Sequence, residues 1–120
     1  ALDGDREEAE RIVSELIEDK YVDDSRYAMA FARDKASIAG WGVVKIRHML
    51  LAKGIPMDII NGALEEIDDG KAAVRLEKLL EVKSRSLRDD PQKKLKLLRF
   101  ALGRGYSYDE VKNVIEKLLK

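Results

Sequence analysis

Apolar residues recur along this chain at three- and four-residue intervals, and no stretch alternates with strand period for more than a few positions. Tyr27 and Phe31 lie four apart, as do Ile46 and Leu50, Ile60 and Leu64, and Val111 and Ile115. Each pair marks one face of a helix that a neighbour must cover. The pattern predicts seven helices, near 5–19, 24–38, 42–53, 56–67, 70–87, 90–103 and 108–119. Punctuation agrees with it. Asp24 and Asp90–Pro91 suit helix starts, and Ser107 with Glu110 has the spacing of a capping box. Gly40, Gly54 and Gly105 each close a helical run, where a left-handed residue is wanted.

The same pattern occurs twice. "GWGVVKIRHMLLAKGI" from Gly40 and "KLLRFALGRGY" from Lys96 superpose Lys45 on Lys96, Ile46 on Leu97, Met49 on Phe100, Lys53 on Arg104 and Gly54 on Gly105. The echo continues with Asp58 on Asp109, Ile60 on Val111 and Leu64 on Ile115. Glu10, Ile12 and Leu16 give a third, earlier copy of that last helix. "DDSRYAMAF" and "DDGKAAVRL" open successive units. The expected architecture is all-α: tandem three-helix repeats stacked into an elongated, curved helical solenoid around one continuous core. Residues 1–20 would be the last helix of an incomplete N-terminal repeat, 21–68 a central repeat and 69–120 a C-terminal one. Ile46, Met49, Leu50 and Phe100 are expected inside.

Composition narrows the function. The chain has 120 residues, 38% of them charged, no cysteine and a formal net charge of zero. Disulfides and thiolate metal sites are thereby excluded, and no apolar run approaches the ~20 residues that span a bilayer. A cytoplasmic protein, monomeric and without contact to membranes, is expected. The neutral total conceals bands: residues 1–24 carry −7, 25–54 carry +5, 55–70 carry −5 and 71–105 carry +7. Solvated helix faces would give such clustering, and so would separate surfaces that meet a charged partner.

No catalytic constellation accompanies these charges. His48 is the only histidine and has no nucleophile motif beside it, and no phosphate-cradling glycine loop is present. Asp23, Asp24, Asp68 and Asp69 lack the alternating ligands of a calcium loop and sit where helix caps are expected. An enzyme is not expected, nor a cofactor or a metal. Trp41, between two glycines, reads either as a packing staple or as a partner-binding anchor. Tyr106 replaces Ile55 in the echo and reads as core; Tyr108 reads as the more exposed of the two.

Together these residues resemble the RecX family, bacterial modulators of the RecA recombinase. The resemblance is carried by Tyr21, Val22, Asp23, Asp24, Arg26, Tyr27 and Ala28, then Phe31 and Arg33, then Gly40–Gly42 before a basic helix. Lys53, Gly54, Ile55 and the closing Arg104–Val111 complete it. The resemblance implies tandem three-helix repeats and a non-enzymatic regulator. Such a protein binds the RecA filament on single-stranded DNA and limits its ATPase and strand exchange, in recombination, DNA repair and the SOS response. Candidate partner-binding residues form a proposed basic strip across both units: Arg33, Lys35, Lys45, Arg47, His48, Lys53, Lys93, Lys96, Arg99 and Arg104. The competing reading is a helical module that binds DNA or RNA directly.

Overall fold

The computed structural model describes residues 2–119, with side chains from Gly4 onward. Six helices occur among them and no strand: α1 Leu2–Ser37, α2 Val43–Ala52, α3 Met57–Glu65, α4 Asp69–Ser86, α5 Lys93–Gly103 and α6 Tyr108–Leu118. The first two expected helices are one. Between Gly4 and Gly40 the chain has no glycine or proline to stop it. An interior aspartate costs a helix at most ~0.7 kcal/mol. Asp24 therefore lies inside α1 instead of capping a new helix. Asp68, after the turn that ends α3, does cap: its carboxylate accepts from the Lys71 N–H at 3.0 Å.

Two three-helix units follow the same plan. The second half of α1 packs with α2 and α3, and α4 packs in the same way with α5 and α6. Ile46, Leu50, Ile55 and Ile60 are buried in the first unit, with Leu97, Ala101, Tyr106 and Val111 at the matching places in the second. The turns also match, because Gly54 and Gly105 both adopt left-handed backbone, with φ of 81° and 95°. The capping box of Ser107 and Glu110 is formed. α5 starts later than expected, at Lys93. The Asp90 carboxylate closes the preceding turn by accepting from the Gln92 N–H at 2.8 Å and from the Lys96 ammonium.

Two expectations about packing need correction. Met49 is exposed and Phe100 only half-buried, because each lies at the edge of the stripe that Ile46–Leu50 and Leu97–Ala101 present inward. The core is also not continuous. Ala28, Ala32, Ile46, Leu50 and Ile60 belong to one cluster, and Leu76, Leu80, Leu97, Val111 and Ile115 to another. Small side chains at the junction (Ala36, Ala72 and Ala73) leave a cleft of about 470 Å³ there instead of interlocking.

Backbone joins the units at that junction. The Gly42 N–H donates to the Arg104 carbonyl at 2.9 Å, and the Val44 N–H donates to the Gly105 carbonyl at 3.0 Å. Gly42 has no side chain with which to cap α2, so the second unit supplies acceptors for the orphan N–H groups of its first turn. The Tyr106 hydroxyl donates to the Gly40 carbonyl at 3.0 Å, and burial pushes this phenol above its ordinary pKa.

The molecule is a rod of 80 × 21 × 20 Å. Much of that length is α1, which at ~1.5 Å per residue extends well beyond the units. Its projecting part exposes Ile12, Val13, Leu16 and Ile17, each at least half accessible. No helix among the described residues is long and apolar enough to cross a membrane.

Asp90 provides a test of the α5 start. The Lys96 ammonium and the Gln92 N–H hold its carboxyl below the ordinary carboxylate pKa. Its contribution to stability is therefore present above the unfolded-state pKa and is lost as pH falls through the folded one. Asp90→Asn retains an acceptor for Gln92 and removes the charge. Thermal melts should show the variant below the native chain at neutral pH and level with it in acid.

Candidate basic and aromatic surface

Four of the ten predicted residues gather on aromatic rings. α1 carries Tyr27, Phe31 and Lys35 at successive four-residue steps, so all three share one helix face. The turn after α1 is held by the Trp41 N–H donating to the Lys35 carbonyl at 2.8 Å, which brings the indole beside that face. Ring centroids are 5.8 Å apart for Tyr27–Phe31 and 6.1 Å for Phe31–Trp41. The Lys35 ammonium lies 4.8 Å from the Trp41 centroid and 5.5 Å from that of Phe31. Lys45, from the first turn of α2, lies 4.2 Å from Trp41. Lys53, from the end of α2, lies 5.7 Å from Tyr27 and 5.8 Å from Phe31.

The second unit repeats this on a smaller scale. The Arg104 guanidinium lies 5.2 Å from the Phe100 centroid and the Lys83 ammonium 5.0 Å from it. The two clusters approach one another at the glycine joint. There Lys45 packs so closely on Gly105, the neighbour of Arg104, that a methyl group on that glycine would collide with it. Lys35, Lys45 and Lys53 thus form one cation–ring cluster and Arg104 with Lys83 a second, and the two units that carry them are joined through backbone at Gly42 and Gly105.

The other candidates lie elsewhere. Arg33 is two residues from Lys35, ~200° around the helix. It pairs with Asp34 and lines a separate groove with Lys71 and Arg75. Arg47 donates to the side-chain amide oxygen of Asn61 at 3.0 Å, tying α2 to α3. His48 is exposed on α2 and Arg99 on α5, while Lys93 is half-buried at the start of α5. Lys96 is ion-paired to Asp90.

Sequence reading missed Lys83, and it assigned the Tyr27–Phe31 pair to a covered face, although Tyr27 is 43% exposed. The four-residue spacing of Tyr27, Phe31 and Lys35 was the available signal. Trp41 is partly buried against the first core, as a staple would be, and carries an ammonium from each of two helices. Among the described residues no group of three or more histidine, aspartate or glutamate side chains is placed to hold a metal.

Residues 23–64 match the family model for the second three-helix domain of RecX, and residues 74–115 match that for its third. The regulatory protein RecX of Clostridium tetani is 32% identical over 96% of this chain and 54% of its own length. That of Clostridium botulinum Eklund 17B is 34% identical over 96% and 55%. That of Bacillus mycoides is 33% identical over 89% and 40%. The chain thus spans about half the length of the curated relatives it matches. No solved structure matches it.

Proposed function

The chain belongs to the RecX family, and on that premise we propose that it is a non-enzymatic regulator that binds the RecA filament on single-stranded DNA. Bound there, it restrains ATP hydrolysis and strand exchange. It acts as a cytoplasmic monomer. Residues 21–68 and 69–120 serve as two successive binding units.

The observation that carries this reading is a cation–ring cluster in each of the two units that meet at the glycine joint. Lys35 lies on α1, Lys45 and Lys53 at the two ends of α2 and Arg104 after α5, yet all lie on aromatic rings. None of them forms an ion pair among the described residues. Single exposed ion pairs contribute only ~0.2–1 kcal/mol each. A surface that spreads them over two units can add several against an extended acidic partner.

The direct test is a RecA ATPase assay on single-stranded DNA, with the chain titrated in. ATPase should fall with added chain, and unchanged turnover at saturation would refute the reading. Replacing Lys35, Lys45, Lys53 and Arg104 together with alanine should weaken filament binding by about tenfold or more, the equivalent of ~1.4 kcal/mol, with helicity retained. Undiminished binding by that variant would remove these four cations from the interface.

A further inference from the structure

Tyr27, Phe31 and Trp41 form a short ladder of rings at the edge of the first core, with centroid steps of 5.8 and 6.1 Å; the first pair lies near parallel, at 29°, and the second edge-to-face, at 72°. Phe31 and Trp41 rest on the first core, which fixes them, and the remaining ring surface faces the three ammonium groups of Lys35, Lys45 and Lys53. Among the described residues no carboxylate pairs with any of these lysines. Core packing does not require Tyr27, which is 43% exposed. Fixed rings interleaved with unneutralised cations match a polyanion that also offers flat apolar faces.

We propose that this ladder is a stacking site for the unpaired bases of single-stranded DNA, with Lys35, Lys45 and Lys53 taking the flanking phosphates. Base–aromatic stacking tolerates any sequence, because every base has a π-face. Duplex bases are already stacked on one another, so only the single strand offers those faces. An acidic peptide would satisfy the ammonium groups and leave the rings unused. On binding, each lysine exchanges its contact with a ring for a phosphate, and a base takes the vacated ring face. Phe31 supports the other two rings from between them, so Tyr27 and Trp41 suit about one or two bases.

The proposal rests on the reading above only in placing the chain where single-stranded DNA is present, and its test contains no recombinase. Trp41 is the only tryptophan of the chain, so its emission reports this site alone. The native chain is titrated with a short thymidine oligomer, with an abasic oligomer of equal length and with a duplex of equal length. The thymidine oligomer should quench Trp41 and bind tightest. Tyr27→Leu should weaken that binding by about tenfold, the loss of one stacked base, with helicity and melting temperature unchanged. Lys35→Gln should make the binding less sensitive to salt.

Equal affinity for the thymidine and abasic oligomers would overturn stacking in favour of phosphate attraction alone. Native affinity in Tyr27→Leu, or no binding to any oligomer, would overturn the site. Either result would leave the ATPase test of the filament reading untouched.

Discussion

Leu97→Ala should destabilise the C-terminal unit by about 2–5 kcal/mol and leave the N-terminal unit close to its native stability. Leu97 is wholly buried, and its cluster includes Leu76, Leu80, Val111 and Ile115. Removing its isobutyl group loses both transfer free energy and packing, since surrounding helices relax only partly into the space. No member of the first cluster belongs to this one. The loss therefore stays on one side of the joint. Domains are stable by only about 5–15 kcal/mol in total, so the effect is large enough to divide one calorimetric transition into two. A single transition displaced as a whole would mean that the units are coupled more strongly than their separate cores imply. Phe100→Ala should cost less than the ~3–5 kcal/mol of a fully buried phenylalanine, because this ring is half-buried beneath Lys83 and Arg104.

Gly105→Ala should cost about 2–6 kcal/mol from two separate sources. The residue holds φ at 95°, a left-handed conformation that costs a side-chain-bearing residue about 1–3 kcal/mol. Its added methyl would also meet the backbone nitrogen and Cβ of Lys45, and relieving such a clash costs about 1–3 kcal/mol more. Relief means moving the turn away from α2, which breaks the bonds from Gly42 and Val44. Gly54→Ala is the internal control. Its φ of 81° brings comparable strain, but a methyl there meets open space. The difference between the two melts isolates the joint, and small-angle scattering should show the rod changing shape in Gly105→Ala alone. Equal melts for both variants would show that the joint contributes little.

Local rules made the repeat legible. A left-handed glycine after each basic helix, the Ser107–Glu110 box and the apolar pairs at Ile60/Leu64 and Val111/Ile115 depend on residues within a turn or two of one another. The structure keeps them all. What stayed hidden depends on distant partners. Asp24 carries the same cap signal as Asp68, but a cap starts a helix only where the preceding chain has already stopped. Met49 lies on the same flank as core residues, and the pattern cannot say how far the neighbouring helix reaches across it. The alanines at 36, 72 and 73 looked like ordinary helix residues until the junction showed a cleft beside them. Lys35, Lys45, Lys53 and Arg104 were recognisable as a basic set from the charge bands. Their gathering on rings was not, because Trp41 reaches Lys45 only through the geometry of the turn after α1. Arg33, adjacent in sequence to the same set, was carried to another side by helix rotation alone.

The joint between the units is built from peptide groups, with little interlocking of side chains across it. Deformation under an applied force would accordingly concentrate at Gly42 and Gly105, leaving both bundles internally undistorted. A molecule divided in this way can alter one angle without disturbing either core. Compliance at a single point would let two rigid bodies reorient at little energetic cost.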